Sequence, residues 1–404
     1  MERRSEESIE DVKWAAIVPL IGGFALGNEK ATGKKPEYLV SYSAFAANES
    51  HLKNYWSDVP FITLDEHEHT PILDRVDFVS STCPCAGLSM LNASQKTESG
   101  KARGSDAAQN QWMYDTINFV LENIKPRVLM GENAPGLYGA IGEGVVEKMK
   151  SIAKAYGYSL SLVKTDTFFH GVPQVRKRTF YFFWDSDHAP ILGTYKKETP
   201  TLKEYLDKIP ENASLQESIH SWTLQDLVLY TFLTKEKGST HQELMDSGET
   251  SLFAYTVNRD LLDEAIEWSG THYPKSNEYR ALVHIKEKLM DGKGYWDSST
   301  KLYKNSFNAV ISKNMWGAVH PEEPRFLTVR EFMHLMGLPH DYQLLDPEVS
   351  YNHIAQNVPV NTAADWTAEV LKYLKGELPS SGQWFYKQDN TAKVAEPQKA
   401  TILF

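Results

Sequence analysis

A proline–cysteine pair, Pro84-Cys85, is the feature of this sequence best suited to covalent chemistry. It follows the short apolar run 77–83 and precedes the small residues 86–89. A cysteine on a proline-fixed turn at the end of a strand presents its thiol with little steric cover, and neighbouring cations lower the pKa of such a thiol. The pattern predicts that Cys85 is a nucleophile, although a cysteine taken alone is more often a small buried apolar residue.

Three further side chains, Glu132, Arg176 and Arg178, complete a set that could act on a pyrimidine ring. Each lies beside a strand-like segment downstream of the cysteine. A thiolate that adds to carbon 6 of cytosine makes carbon 5 nucleophilic, and a partly buried carboxyl group can supply a proton at ring nitrogen 3. Singly, the carboxylate could belong to a helix start and the arginines to a strand edge. Together they indicate catalysis, with Arg178 at the ring carbonyl and Arg176 near the thiol.

A polar loop, residues 86–105, follows the cysteine and could contact a nucleic-acid backbone. It is rich in glycine and serine and carries three basic residues. Such a segment could close over DNA with its cations at phosphates, or it could be a disordered linker. A base stacked in a duplex must be swung out before a thiol can reach it. The residues that we expect at DNA are Ser89, Lys96, Lys101, Arg103 and, outside the loop, Gln174.

Composition narrows the class of protein. The chain has 404 residues, of which 41% are hydrophobic, enough for one large domain and a smaller one. The net charge of −11 opposes nucleic-acid binding only weakly, because a local basic cleft can lie on an acidic body. The chain has two cysteines and no Cys/His cluster, so we expect no disulfide framework and no metal site. The scarcity of cysteine also predicts a cytoplasmic location. No apolar run is long enough to span a membrane, and we expect a monomer.

Strand-like and helix-like segments alternate over residues 12–184, which predicts a doubly wound α/β sheet. From about 185 to 315 the periodicity weakens, and we expect a separate, less regular domain. A capping box at Thr328 and Glu331 predicts a helix that ends at Gly337. We also predict strands at about 14–24, 38–46, 78–82, 127–130, 158–163 and 179–184, helices at about 106–124, 143–155 and 361–375, and a mobile polar tail from about 378.

In this order and spacing, the motifs resemble those of the DNA (cytosine-5) methyltransferases. The matches extend over about residues 15–375, nearly the whole chain. No single motif is specific, but the set is. The segments that carry the resemblance are Pro84-Cys85, Glu132-Asn133, the Gln-x-Arg-x-Arg motif at Gln174, Arg176 and Arg178, residues 320–339 and residues 354–360.

The resemblance implies both an architecture and an activity. It implies a methyltransferase-like (Rossmann-like) catalytic domain at 10–184, a smaller target-recognition domain at 185–324, a return to the catalytic domain at 325–375 and a polar tail at 376–404. It further implies S-adenosylmethionine as methyl donor and cytosine in double-stranded DNA as substrate. About 130 residues between the catalytic and late motifs favour duplex DNA over RNA. Restriction partner, phage self-protection and regulation are all open as biological roles.

Departures from the family pattern cluster at the donor site. Residues 18–23 read Val-Pro-Leu-Ile-Gly-Gly where the family has Phe-x-Gly-x-Gly-Gly, and Ala46 and Phe61 occupy the places of two expected acids. By position, the donor contacts would be Ile21, Gly22, Gly23, Phe24, Asn48, Ile62, Pro84, Gln356, Asn357 and Val358.

Three interpretations of these departures are open. The chain could be a divergent methyltransferase that still binds S-adenosylmethionine, since pockets tolerate changes when backbone contacts persist. It could use a different donor at the same cytosine carbon. It could also be a catalytically silent DNA-binding homologue. The retained Cys85, Glu132 and arginines argue against the last interpretation, because a binding protein needs no nucleophile.

Overall fold

The structure is a computed structural model that describes residues 11–64, 73–83, 88, 107–294, 300–345 and 347–391. Within the helices, the side chains of residues 46–48, 313–314 and 347–350 are not described. In the described part of the chain, no helix has both the length and the apolar character that a membrane crossing needs.

An eight-stranded sheet lies at the centre of the fold. Its strands are β1 (Trp14–Ile17), β2 (Tyr38–Tyr42), β3 (Phe61–Leu64), β4 (Phe78–Ser81), β5 (Val128–Asn133), β6 (Ser159–Asp166), β8 (Lys177–Trp184) and β12 (Phe385–Asp389). They lie in the order β12-β6-β8-β5-β4-β1-β2-β3, and only β8 runs antiparallel to its neighbours. The chain order reverses at β1, between β4 and β2, where a doubly wound sheet opens a ligand crevice. The predicted α/β class is confirmed.

Helices cover both faces of this sheet, and strand alternation explains why. In β5, Val128 and Met130 face one hydrophobic core while Leu129 faces the other. One core receives α1 (Gly23–Thr32) and α14 (Val360–Leu374), and the other receives α3 (Asn110–Phe119) and α4 (Glu143–Tyr156). The helix α2 (Ala46–Tyr55) lies between β2 and β3 in the chain. The predicted helices at 106–124, 143–155 and 361–375 are confirmed, with a π-helical turn at Val120–Ile124.

Residues 224–290 form a helical unit with its own hydrophobic core, so our expectation of a less regular domain was wrong there. Its helices are α6 (Val228–Thr231), α7 (His241–Asp246), α8 (Leu252–Asn258), α9 (Leu262–His272) and α10 (Asn277–Met290), after the short α5 (Leu202–Leu206). Interleaved charged and aromatic residues hid short helices, several of which begin with a side-chain cap such as Thr240 or Ser251.

In the part of the chain that the structure describes, two short strand pairs lie outside the eight-stranded sheet. The strand β7 (Gln174–Val175) pairs with β10 (Phe307–Asn308), and β9 (Lys301–Leu302) pairs with β11 (Ala318–Val319). A short helix, α11 (Ser312–Met315), lies between β10 and β11. The chain returns to a core of the eight-stranded sheet through α12 (Val329–Leu335) and α13 (Pro347–Gln356). The predicted capping box is confirmed, since Thr328 and Glu331 cap α12 reciprocally.

The segment after α14 is structured through Thr391, so the expectation of a mobile tail from about 378 was wrong for this part. Residues 385–389 form β12, which pairs with β6 in parallel at the edge of the sheet. The Trp384 indole donates to the carbonyl of Tyr158, and Lys150 lies over the Phe385 ring. Residues 384–386 are aromatic and residues 387–389 are polar, and the Phe385 and Tyr386 rings pack against opposite cores of the sheet.

Removing β12 should destabilise the fold. We expect a chain ending at Leu378 to lose about 2–4 kcal/mol of unfolding free energy relative to one ending at Thr391, because the β6 ladder and the half-buried Trp384 and Phe385 rings are lost. Urea denaturation of both truncated proteins measures the difference. Equal midpoints would contradict the assignment of β12 as a stabilising strand.

Candidate active site and donor site

A buried ion pair joins two of the predicted catalytic residues. Glu132 lies near the end of β5 and Arg178 near the start of β8, on adjacent antiparallel strands. The Arg178 Nε atom is 2.6 Å from Glu132 Oε1, and the two side chains are 16% and 6% exposed. Burial raises the pKa of Glu132, while the positive charges of Arg178 and Arg176 oppose that shift without cancelling it. A carboxyl group in this setting can hold a proton that an exposed glutamate would lose.

The segment that carries the predicted nucleophile leaves β4 at the edge where this ion pair lies. Strands β4 and β5 are parallel neighbours, and Ser81 pairs with Gly131, the residue before Glu132. Cys85 is the fourth residue after Ser81, but Pro84 and Cys85 lie outside the described residues. The predicted DNA contacts Ser89, Lys96, Lys101 and Arg103 also lie outside them.

The other cysteine, Cys83, is described and has the properties of a structural thiol. It is 3% exposed, and its sulfur lies 3.2 Å from the Ser81 hydroxyl oxygen. Burial raises the pKa of Cys83, which disfavours the thiolate form. Within the described chain, Cys83 therefore lacks the exposed, cationic surroundings that make a cysteine reactive.

The Arg176 guanidinium is buried among main-chain carbonyls, and the Cys85 thiol near which it was predicted lies outside the described residues. The arginine side chain is 2% exposed and donates to three backbone carbonyls: Val310 at 2.8 Å, Asn357 at 2.9 Å and Ala355 at 3.0 Å. Its backbone amide donates to the Asp166 carboxylate at 2.9 Å. A guanidinium surrounded by main-chain acceptors fixes loops rather than a ligand.

Gln174 is fully buried, which corrects its prediction as a DNA contact. Its amide nitrogen donates to the carbonyl of Leu335 at 2.8 Å, and its amide oxygen accepts from the Val310 backbone at 3.0 Å. The side chain therefore links the last residue of α12 to the segment after β10. DNA could reach this residue only if that packing opened.

The predicted donor residues at the start of α1 and before α14 lie against each other. The Gly23 amide donates to Asn357 Oδ1 at 2.8 Å, and a Cβ at Gly23 would lie 2.1 Å from that oxygen and from the Val358 carbonyl. Only glycine permits this approach. Among the described residues, Asn357 Nδ2 is buried and has no hydrogen-bond partner. Gln356 is exposed.

The turn between β1 and α1 takes an unusual backbone conformation. Leu20, which replaces the family's first glycine, has φ of 53°, and Val18 has φ of 50°. Left-handed conformations cost non-glycine residues about 1–2 kcal/mol each. Ile21 and Phe24 are buried in the core, and the Tyr342 hydroxyl donates to the Ile21 carbonyl at 2.6 Å. The turn thus keeps a glycine-like path without the glycine, held by its packing.

A buried carboxyl group, Glu49, lies one turn into α2 and accepts a hydrogen bond from Ser41 on β2. It is 1% exposed, and burial raises its pKa to about 8. Asn48, one residue earlier, was predicted as a donor contact instead, and its side chain lies outside the described residues. Ile62, also predicted, is half-buried and pairs with Val40.

Replacing Glu49 by glutamine should remove a pH-dependent loss of stability. The folded-state pKa is about 8 and the ordinary value is 4.5, so the folded chain binds this proton more tightly than the unfolded chain. The stabilisation is complete below the ordinary pKa and is lost as pH rises through the folded pKa, at about 1.4 kcal/mol per pH unit. We expect wild type to lose several kcal/mol relative to Glu49→Gln between about pH 5 and about pH 8.

Urea denaturation at the two pH values measures this difference. Glu147→Gln, at an exposed glutamate of α4, serves as the control and should follow wild type. Parallel pH profiles for wild type and Glu49→Gln would contradict a raised pKa at Glu49.

An aromatic cavity at the end of β2 was missed by sequence reasoning. It has a volume of about 450 Å³ and is lined by Tyr42, Gln111, Trp112 and Asp115. The Trp112 ring centroid lies 5.0 Å from that of Tyr42 and 5.1 Å from that of Phe45. The cavity lies beside the carboxyl end of β2, where the sheet crevice is expected. Its signal in the sequence is weak, because Tyr42 and Trp112 are far apart in the chain.

The model of the family described as C-5 cytosine-specific DNA methylase matches residues 17–372. The Type II methyltransferase M.NgoPII of Neisseria gonorrhoeae is 23% identical over 382 residues, covering 93% of this chain and 100% of the relative. The Type II methyltransferase M.Eco47II of Escherichia coli is 23% identical over 354 residues, covering 84% and 74%.

Solved structures show the same fold. A DNA modification methyltransferase encoded within an E. coli prophage superposes with a TM-score of 0.54 at 13% identity, covering 90% of this chain and 100% of that chain. The Entamoeba histolytica methyltransferase EhMeth superposes with a TM-score of 0.53 at 11% identity, covering 90% and 99%. At these low sequence identities, the similarity shows a shared fold and nothing further.

Proposed function

The chain belongs to the C-5 cytosine-specific DNA methylase family and is a DNA cytosine-5 methyltransferase, and on that premise we propose that Cys85, Glu132 and Arg178 carry the reaction. The buried Glu132–Arg178 pair is the observation that carries this assignment. It lies near the carboxyl end of β5, beside the end of β4, and Cys85 follows β4 by four residues. Buried titratable pairs of this kind are characteristic of catalytic sites.

Each residue has a distinct role in the proposed reaction. The Cys85 thiolate forms a bond to carbon 6 of a cytosine swung out of double-stranded DNA. Protonated Glu132 donates its proton at ring nitrogen 3, so that carbon 5 gains nucleophilic character. Arg178 orients Glu132 and donates to the ring carbonyl. As carbon 5 is methylated, ring nitrogen 3 returns its proton to Glu132. Loss of the carbon 5 proton to water then expels the Cys85 thiolate and restores the aromatic ring.

S-adenosylmethionine fits the residues at the crevice, and it would supply an electrophilic methyl group there. The unpartnered Asn357 Nδ2, beside the Gly23 backbone, can donate to a carboxylate. The aromatic side chains of Tyr42 and Trp112 can pack on a purine ring. Buried Glu49 can bond to hydroxyl groups. We propose these residues as donor contacts, in place of the missing acids at Ala46 and Phe61.

We further propose that residues 185–324, including the helical unit, form the DNA-reading wall opposite the catalytic edge. The packing of Gln174 and Arg176 on Val310 supports a fixed junction between the two parts. Three basic residues of loop 86–105, Lys96, Lys101 and Arg103, would contact phosphates from the other side.

A labelled-donor experiment tests this function directly. Purified protein is incubated with unmethylated double-stranded DNA and S-adenosylmethionine that carries a deuterated methyl group, and the nucleosides are analysed by mass spectrometry. We expect deuterated 5-methylcytosine. DNA binding without any modified base would support the silent homologue instead. A modified cytosine that lacks the label would indicate a different donor.

A further inference from the structure

Arg176 joins three segments that are distant in the sequence. Its guanidinium donates to Val310, which follows β10, to Ala355 in the last turn of α13 and to Asn357 in the turn before α14. The residue itself lies between β7 and β8. Hydrogen bonds from a charged donor are stronger than those between neutral groups, and a buried carbonyl that loses its donor is costly to leave unpaired. The three segments therefore shift together or not at all.

One of these segments is part of the donor site. Asn357 accepts from Arg176 through its backbone carbonyl and from the Gly23 amide through its side chain. The approach at Gly23 leaves no room for a Cβ, so a movement of residues 355–358 must move the start of α1 or break that contact. The position of Arg176 thus governs the geometry at Gly23 and at the unpartnered Asn357 Nδ2.

Another segment, residues 301–319, follows the helical unit and reaches into a core of the eight-stranded sheet; we call it the finger. Its two ends, β9 and β11, pair with each other, and Leu302 and Val319 pack in the helical core. Between them Phe307, Val310 and Met315 pack in the core of the sheet domain. Both polar groups of the Val310 backbone are held from the sheet side, its amide by Gln174 and its carbonyl by Arg176.

We propose that Arg176 is a positioning residue that couples DNA binding by the helical unit to donor binding at Gly23 and Asn357. DNA bound to the helical unit shifts the finger. Val310 transmits this shift to Arg176 through their hydrogen bond, and Arg176 sets the position of Asn357. Because binding linkage is reciprocal, the donor tightens DNA binding by the same factor. This inference rests on the proposed function of the donor and DNA sites.

The coupling can be measured with S-adenosylhomocysteine, which lacks the transferable methyl group. Calorimetry on the full chain gives its dissociation constant without DNA and with a saturating duplex that contains the methylated site. For wild type we expect DNA to tighten binding by at least about fivefold. For Arg176→Lys, whose ammonium cannot span three carbonyls, we expect the ratio to approach one. Gln174→Met removes the other hold on Val310 and should act in the same direction.

A matched control separates coupling from general destabilisation. Tyr158→Phe removes a buried hydrogen bond to Pro126 at the amino ends of β5 and β6, away from the proposed site, and should keep the wild-type ratio. A wild-type ratio in a folded Arg176→Lys or Gln174→Met protein would overturn the inference, as would a wild-type ratio of one. Failure of wild type to bind S-adenosylhomocysteine at all would contradict the proposed donor site and the inference with it.

Discussion

Replacing Cys85 by alanine is expected to abolish cytosine methylation, with turnover reduced by at least about 10⁴-fold, while DNA binding persists. The bond from sulfur to carbon 6 is what makes carbon 5 reactive, and no other group in the proposed site can form it. DNA affinity depends on contacts that the thiol does not make. Single-turnover methylation and fluorescence anisotropy with labelled duplex measure the two quantities on the same protein.

Cys83 offers a control that differs by two positions. Its thiol is buried beside Ser81, and its raised pKa disfavours a thiolate, so Cys83→Ala should retain most of the activity. Full modification by Cys85→Ala would contradict the mechanism. If instead Cys83→Ala alone were inactive, the nucleophile would have to be reassigned.

Glu132→Gln is expected to reduce the rate of methyl transfer by about 10²–10⁴-fold, the usual contribution of a positioned proton donor. Glutamine keeps the volume and can still face Arg178, but it has no transferable proton. Burial raises the pKa of Glu132, so the proton-bearing form persists to higher pH than in an exposed glutamate. Wild-type activity should fall as pH rises through that raised pKa, and the residual activity of the variant should lack this dependence.

Stopped-time methylation assays over a pH series provide the comparison. The exposed Glu147→Gln should reproduce the wild-type profile and serves as the control. If Glu132→Gln retained the high-pH decline, the titrating group would be another residue and the role given to Glu132 would be wrong.

Local sequence patterns predicted the elements whose formation depends on neighbours in the chain. The capping box at Thr328, the amphipathic α4 with its terminating Gly157, and β5 ending in Glu132-Asn133 were all readable. The apolar run at 180–184 likewise predicted a strand at 179–184, directly after Arg178. These features carry the periodicity and end signals that fix a helix or strand by itself.

The positions that sequence missed depend on residues that arrive from far along the chain. Gln174 was predicted to contact DNA and Arg176 to lie near the thiol, but the segment with Val310 packs over both side chains. The strand β12 ends in three polar residues, 387–389, and forms because β6 has an open edge that pairs with it. The aromatic cavity requires the end of β2 to meet the start of α3. Tertiary packing decides all three cases.

Nucleoside mass spectrometry of cellular DNA tests covalent methyl transfer to cytosine most directly. DNA is taken from cells that express wild type or Cys85→Ala and is digested to nucleosides. The proposed mechanism predicts 5-methylcytosine above background only with wild type. A modified cytosine of any other mass would contradict methyl transfer, and equal 5-methylcytosine in both samples would contradict catalysis by Cys85.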